Sequence, residues 1–212
     1  MSRVTGLPGV LIGLVAVLAC GTGVARGGVI SFVNDYEGWL EAAGGVAQEI
    51  DFETLPDGSP SEASTPITKD FNYDEQGVFF SAPVPSLFIA GNQVTGFILA
   101  AISDDEITPT WIDASLLTPA SAVGVFFPGT TIFSAFDTDG ELIVSEAFSG
   151  AGPDHFIGFV SDVPIGFTMN NSDPTAEGIE SYVFVPVPEP GCAVLLLVGV
   201  GLVLRGRGQR RT

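Results

Sequence analysis

The sequence predicts an all-β domain of two packed antiparallel sheets, with one short helix near its start. Short runs rich in Phe, Val, Ile and Thr recur along the chain, and Gly, Pro, Asn or Asp residues bound most of them. The stretch from Ile165 to Asn170 alternates apolar and other residues, which is typical of a strand with one buried face. Its apolar members Ile165, Phe167 and Met169 are predicted to face the core. Strands this short and regular favour two packed sheets.

The single helix is predicted over Tyr36–Ala43. Asn34 or Asp35 precedes it and can accept a hydrogen bond from its first turn. Gly44 and the glycine after it end the helix, because glycine tolerates the left-handed conformation at a helix end. One face is apolar at spacings of three and four, formed by Tyr36, Trp39, Leu40 and Ala43.

The remaining runs predict the strands of both sheets, at residues 48–53, 78–81, 87–90, 95–102, 122–127, 131–137, 142–148, 156–161, 165–170 and 179–185. Asp139 and Gly140 lie between two of these runs and predict a tight hairpin turn, since both tolerate positive backbone angles. Segment 56–68 is dense in Ser, Pro and Thr and is predicted to be an irregular connection.

The first residues predict a secretory signal peptide over residues 1–25. Arg3 is followed by an apolar run over 10–19 and then by small residues, the order of regions in such signals. The apolar run is much shorter than the roughly 20 residues of a spanning helix. Cleavage is predicted after Ala25. An alternative is that Cys20, in a context resembling a loose lipobox, becomes a lipidated N-terminus.

Residues 187–212 carry three signals in a fixed order. A proline-containing motif comes first, an apolar run over 192–204 follows, and arginines close the chain. The prolines stop the preceding strand, the apolar run can enter a bilayer as a transmembrane helix, and the arginines keep its end in the cytoplasm. The residues concerned are Val187, Pro188, Glu189, Pro190, Arg205, Arg207, Arg210 and Arg211.

This tail resembles the PEP-CTERM sorting segment of exported bacterial proteins. It is also similar to the tail of the ice-binding protein C-terminal domain family. This likeness indicates how the protein is exported and does not indicate ice binding. The resemblance implies that an exosortase, a membrane-embedded cysteine transpeptidase or protease, recognises Val187 to Pro190 and releases the domain from its membrane anchor. The domain between the signals, 26–186, would pass from the inner membrane to the cell surface or extracellular matrix.

The domain between the two ends is strongly acidic. The chain has a net charge of -18, and all its acidic residues except Glu189 lie in this part. The basic residues of this part are Arg26, Lys69 and His155. Nucleic acid and anionic membranes are therefore poor partners, and cations are favoured ones, although solubility outside the cell also explains the charge. The lone His155 leaves transition metals without their usual ligands.

Dispersed positions of the domain resemble the ectodomains of PEP-CTERM proteins. The matching segments are 30–32, 39–40, 51–58, 77–81, 121–127, 136–142, 156–159, 164–165 and 179–184. Such ectodomains are similar to carbohydrate-binding-module jelly rolls. The resemblance implies that the two antiparallel sheets form a jelly-roll sandwich.

Three acidic residues form a hypothetical structural calcium site. Asp51 and Glu53 lie two apart on a predicted strand, which places them on one face, and their oxygens suit Ca²⁺. In calcium-bearing jelly rolls an early acidic residue meets another in the final strand. The resemblance therefore implies a similar role for Glu180, where the family usually has aspartate. The alternative is that all three are ordinary solvent-facing strand residues.

No catalytic motif is present. The segment from Asp137 to Glu141 begins like a calcium loop but lacks the later spacing of an EF-hand, so a hairpin turn is favoured. His155 could act as a catalytic base for a serine, but the sequence contains no Gly-x-Ser-x-Gly nucleophile elbow. It also contains no glycine loop of the phosphate-binding type.

The sequence therefore favours a non-catalytic structural or interaction protein of the cell surface. The alternative is a carbohydrate-binding module that contacts extracellular polysaccharide. That function requires exposed aromatic residues on a sheet face or loop rim, for which Trp111, Tyr73 and Phe88 are the candidates.

Overall fold

The computed structural model describes residues 28–83, 87–92, 96–102, 110–150, 155–171 and 176–187. The predicted signal peptide, Cys20 and the sorting segment beyond Val187 lie outside these residues. The described part is mostly antiparallel β-strand with one α-helix. Within it, no helix has the length and apolar character needed to cross a membrane.

The elements in chain order are β1 Val29–Val33, α1 Tyr36–Ala43, β2 Gln48–Ile50, β3 Thr65–Pro66, β4 Val78–Ser81, β5 Leu87–Asn92, β6 Gly96–Ile102, β7 Trp111–Phe127, β8 Thr131–Asp137, β9 Leu142–Phe148, β10 His155–Asn171, β11 Ala176–Ile179 and β12 Ser181–Pro186. A short 3-10 helix, Asp74–Gln76, precedes β4.

Strands β7 and β10 form the centre of the larger sheet. They pair antiparallel from Trp111 opposite Asn171 to Phe127 opposite His155. The other edge of β7 is shared by β12 and β4, and the other edge of β10 is shared by β1 and β8. The sheet therefore has a first leaf, β2-β12-β7-β10-β1, and a second leaf, β4-β7-β10-β8-β9.

A smaller sheet in the order β11-β6-β5-β3 completes a sandwich-like fold. Its buried side chains share one hydrophobic core with the inward side chains of both leaves. The contributors from the smaller sheet are Leu87, Ile89, Leu99, Ala101 and Ile179. Because apolar surface from both layers is removed from water here, this core is the main source of stability.

Helix α1 covers the outward side of the first leaf. Asp35 caps it by accepting a hydrogen bond from Gly38 N at 3.0 Å, and Gly44 ends it with a φ of 64°, as predicted. Trp39 is fully buried and donates its indole N–H to Phe159 O at 3.1 Å. A second core cluster joins the helix to the leaf through Trp39, Ala122, Phe156, Val183 and Val185.

Several predicted strands are confirmed, including 78–81, 131–137 and 142–148. Others are wrong in extent. The strand predicted over 48–53 ends at Ile50, and Phe52 has a φ of 58°, which is outside the range of a strand. The runs at 156–161 and 165–170 are one strand, β10. The run at 179–185 is divided at Glu180 between strands of different sheets.

The predicted strands do not include β1, β3, the first half of β7, or β11 apart from its last residue, Ile179. In the first half of β7, the residues from Asp113 to Ser115 pair with β4 on one side and with β10 on the other. Pairing along both edges fixes an extended backbone even where local propensity is weak.

Replacing Trp39 with alanine is expected to lower the free energy of unfolding by about 3 to 5 kcal/mol, because it leaves a cavity between α1 and the first leaf. Urea unfolding of the mature protein measures this. Val46→Ala is the control: Val46 is 87% exposed, so its truncation should change stability by less than about 0.5 kcal/mol. Equal effects of the two substitutions would contradict the packing described for α1.

Candidate ligand-binding face

Where β10 enters the second leaf, its apolar side chains change from the inward to the outward side of the sheet. Ile165 lies opposite Asp137 of β8, but Phe167 lies opposite the adjacent residue, Phe136. Gly166 is therefore an extra residue, a β-bulge, and a bulge changes which side chains face inward. Gly166 packs closely on the turn, since a Cβ there would lie 2.8 Å from Asp137 O. After the bulge, the apolar side chains of β10 change sides.

The prediction that Ile165, Phe167 and Met169 all face the core is therefore wrong for two of them. Ile165 is buried in the core, whereas Phe167 and Met169 are half-buried and belong to neither core cluster. Their places inside are taken by Thr168 and Asn170, which are 1% and 2% exposed. A strand of the second leaf thus has polar residues inside and apolar residues outside.

The outward side of the second leaf has three rows of side chains running across its strands, which we name the aromatic face. The first row is Phe79, Ser115, Phe167, Phe136 and Leu142. The second row is Ser81, Asp113, Met169, Ser134 and Ser145. The third row is Trp111, Asn171, Ile132 and Ala147.

The aromatic face exposes apolar side chains. Leu142 is 58% and Ile132 42% exposed. Phe136 and Phe167 stack face to face with ring centroids 4.3 Å apart and an interplanar angle of 3°, so the two rings form one compact apolar block. Helix α1 packs on the first leaf and does not cover this one. Exposed apolar patches of this kind mark interaction sites.

Asp113 places a carboxylate in the middle of the aromatic face. Trp111 donates its indole N–H to Asp113 Oδ2 at 3.1 Å, and both side chains are half-buried. Burial raises the pKa of Asp113, and the Trp111 hydrogen bond partly opposes that rise. Hydroxyl groups lie in the same row, and Ser134 Oγ and Ser145 Oγ hydrogen-bond at 2.9 Å. The face therefore combines aromatic rings with a central row of hydrogen-bonding groups.

An open acidic cleft of about 270 Å³ lies elsewhere, lined by Pro56, Asp57, Asp70, Phe71, Asn72, Asp74 and Glu75. Its buried amide, Asn72, accepts from Phe80 N at 2.8 Å and donates to Phe80 O at 2.8 Å, so it anchors β4. Asp57 accepts hydrogen bonds from the side chain and backbone of Ser59, which lower the pKa of Asp57. The polar groups of this cleft hold its loops together.

The predicted calcium ligands occupy different surroundings. Asp51 and Glu53 lie in the loop after β2, so the prediction that they share a strand face is wrong. Asp51 Oδ1 accepts from Glu53 N at 3.1 Å, and Glu53 Oε1 accepts from Phe97 N at 2.9 Å. Glu180 is buried between β11 and β12, and its backbone N donates to Phe126 O. Calcium binding by these residues stays a prediction.

No three His, Cys, Asp or Glu side chains within the described ranges are grouped closely enough to hold a metal ion. The hairpin at Asp139 and Gly140 is confirmed. Its turn is organised by Asp137 Oδ1, which accepts from the backbone N of Asp139 and of Glu141, both at 2.9 Å.

The three predicted aromatic candidates differ in position. Tyr73 is a core residue, 2% exposed, and burial raises the pKa of its hydroxyl. Phe88 is half-buried on β5 of the smaller sheet. Trp111 lies on the aromatic face. The sequence interpretation missed Phe79, Asp113, Phe136 and Phe167, because only the strand register shows that they share a face.

Comparison with known proteins gives no matching family model and no matching curated protein. Several solved structures are similar in part. The family 32 carbohydrate-binding module of C. perfringens NanJ, in complex with galactose, is 12% identical with a TM-score of 0.34, covering 50% of this chain and 93% of that chain.

Two further similar structures are lectin domains of lectinolysin. A mutant domain complexed with Lewis b is 9% identical with a TM-score of 0.33, covering 69% of this chain and 95% of that one. The lectin domain complexed with Lewis B antigen is 11% identical with a TM-score of 0.33, covering 69% and 96%. Similarity at this level carries no argument about the ligand of this chain.

Asp113→Asn is expected to stabilise the fold at pH 7 by up to about 1 kcal/mol. Because burial raises the folded-state pKa of Asp113, its ionisation weakens folding as the pH rises through that pKa. Asparagine keeps an acceptor for Trp111 and removes the charge. The stabilisation should disappear near pH 3, where the carboxyl is protonated in both states.

Thermal unfolding at the two pH values measures this difference. Asp139→Asn, on the exposed hairpin turn, is the matched control and should show a smaller pH-dependent difference. An Asp113→Asn variant that is less stable than the native protein at pH 7 would contradict a burial cost at Asp113.

Proposed function

We propose that the domain is a carbohydrate-binding module that binds saccharide on the aromatic face. The observation that carries this proposal is the outward position of Phe167 and Met169 beside inward Thr168 and Asn170. Hydrogen bonds offset the cost of burying Thr168 and Asn170, but the outward position of Phe167 and Met169 forgoes the stabilisation that their burial would give. An inverted strand therefore does not follow from stability alone, and it supplies an apolar surface for a ligand.

The chemistry of the face fits a saccharide. A pyranose ring has an apolar face of C–H groups and an edge of hydroxyl groups. The C–H groups of a sugar can pack against the apolar block that the stacked rings of Phe136 and Phe167 form. Asp113 can accept hydrogen bonds from sugar hydroxyls, and bonds to a charged acceptor are stronger than neutral ones. The neighbouring Ser81 and Ser145 add further donors and acceptors.

The arrangement supports binding without catalysis. Glycoside hydrolysis generally needs two carboxyl groups about 5 to 10 Å apart on either side of the scissile bond. Among the described residues in the three rows of the aromatic face, Asp113 is the one carboxylate. We propose that the domain holds a saccharide and does not cleave it.

We also propose that this jelly-roll domain is exported, held at the inner membrane by its tail, and released by an exosortase at Val187 to Pro190. The order of proline motif, apolar run and arginines supports this route, as does the acidic, cysteine-free composition of residues 26–186. At the cell surface or in the extracellular matrix, saccharide binding would attach the domain to extracellular polysaccharide.

Loss of the aromatic face should abolish saccharide binding. Phe167→Ala is expected to weaken binding at least about tenfold, equivalent to ~1.4 kcal/mol, because it removes half of the stacked pair. Affinity electrophoresis of the mature protein in gels containing glucans, xylans or chitosan measures this. Phe88→Ala, a half-buried phenylalanine on the smaller sheet, is the control and should bind like the native protein.

Two results would contradict the proposed site. One is unchanged binding by a folded Phe167→Ala protein. The other is no binding of any polysaccharide by the native protein together with self-association that Phe167→Ala removes, which would make the domain a protein-interaction module.

Export and processing are tested by the mass of the mature protein from its host, with and without a functional exosortase. We expect loss of residues 1–25 and of the chain beyond the proline motif when the exosortase is active. Without it, the arginine-rich tail should remain. An intact tail in both strains, or a lipid on Cys20, would contradict the proposed route.

A further inference from the structure

We propose that the saccharide is a polymer of amino sugars with free ammonium groups, and that Asp113 selects it by pairing with an ammonium group. This inference rests on the proposed function of the aromatic face and specifies its ligand. It draws on the charge of the face, the chemistry of its aromatic rings and its length.

Among the described residues, no cationic side chain balances the charge of Asp113. Within the described part of the chain, Lys69 is the only lysine or arginine, and it is exposed in the turn before Phe71. The only described group that donates to the Asp113 carboxylate is the Trp111 indole. A half-buried carboxylate in a chain with a net charge of -18 therefore attracts a cation from outside. A ligand ammonium group would supply both the charge and the missing donors.

The aromatic residues of the face also favour a cation. The face of an indole or phenyl ring carries a partial negative charge and attracts ammonium groups. Trp111 donates its N–H to Asp113, so the edge of the indole meets the carboxylate. An ammonium group bound to Asp113 is therefore next to Trp111, and it gains a cation–π contact where the ligand carries it over the face of that ring.

The length of the face indicates a polymer. The first two rows cross five strands, from β4 to β9, and adjacent strands lie about 4.8 Å apart. A row is therefore about 19 Å long, several times the width of one pyranose ring. A face of this length suits an extended chain that lies across the strands.

Other ligands match fewer of these features. A polymer of uronic acids would be repelled by Asp113 and by the net charge of the domain. A neutral glucan could stack on Phe136 and Phe167, but it would leave Asp113 without a counter-charge. A basic peptide would balance the charge, but its flexible side chains have no rigid apolar ring for the stacked phenylalanines. An amino-sugar polymer offers the flat ring and the cation together.

The test compares three soluble oligosaccharides of equal length: fully deacetylated chitosan oligomers, their N-acetylated counterparts and cello-oligosaccharides. Calorimetry at pH 6 and low salt measures their binding to the mature protein. We expect chitosan oligomers to bind at least tenfold more tightly than the other two. Asp113→Asn should remove this preference and keep the weaker binding shared by all three. Asp139→Asn is the matched control for lost charge and should retain the preference.

The outcomes separate this inference from the proposed function. Equal binding of acetylated and deacetylated oligomers, or a preference that survives in Asp113→Asn, overturns the inference and leaves saccharide binding intact. Competition by polylysine as effective as that by chitosan also overturns it, because charge alone would then explain binding. No binding of any oligosaccharide overturns both proposals. Circular dichroism of each variant establishes that it is folded.

Discussion

The pairing of β7 with β10 is the constraint on which the rest of the structure depends. Each strand has seventeen residues and carries two partners along its other edge. Both leaves of the larger sheet are therefore built on the same two strands. Register along this pair is interrupted between Val160 and Phe167, and this interruption separates the leaves. The bulge at Gly166 also decides which side chains of β10 reach the core of the second leaf.

The inverted half of β10 is stable because its buried polar groups are hydrogen-bonded. Asn170 donates to Glu177 Oε1 at 2.6 Å and accepts from Thr131 Oγ1 at 2.8 Å. Thr168 Oγ1 shares a hydrogen bond of 3.1 Å with the hydroxyl of Tyr182. Such bonds offset the cost of removing polar groups from water. They join β10 to β8, β11 and β12, so the inversion is fixed by strands of both sheets.

The outward sides of the two leaves differ in whether α1 covers them, and this difference supports the functional proposal. On the first leaf, Trp39 of α1 covers an apolar surface that includes Phe156. On the second leaf, Phe136 and Phe167 form an apolar surface that α1 does not cover. A saccharide that stacks on this surface would remove it from water, as the helix does on the first leaf. Asp113 adds charge and direction to that contact, which an apolar patch alone lacks.

The sequence by itself determined the features that depend on neighbouring residues. Asp35 and Gly44 bound the helix, and Asp139 with Gly140 forms the hairpin, because capping and turns are set within a few residues. The all-β class followed from the spacing of apolar runs and turn residues. Only the tertiary structure decided that Phe167 faces outward, that Asp113 shares its face, and that Asp51 and Glu53 leave the strand. These positions depend on register between strands distant in sequence, and one bulge is enough to reverse a face.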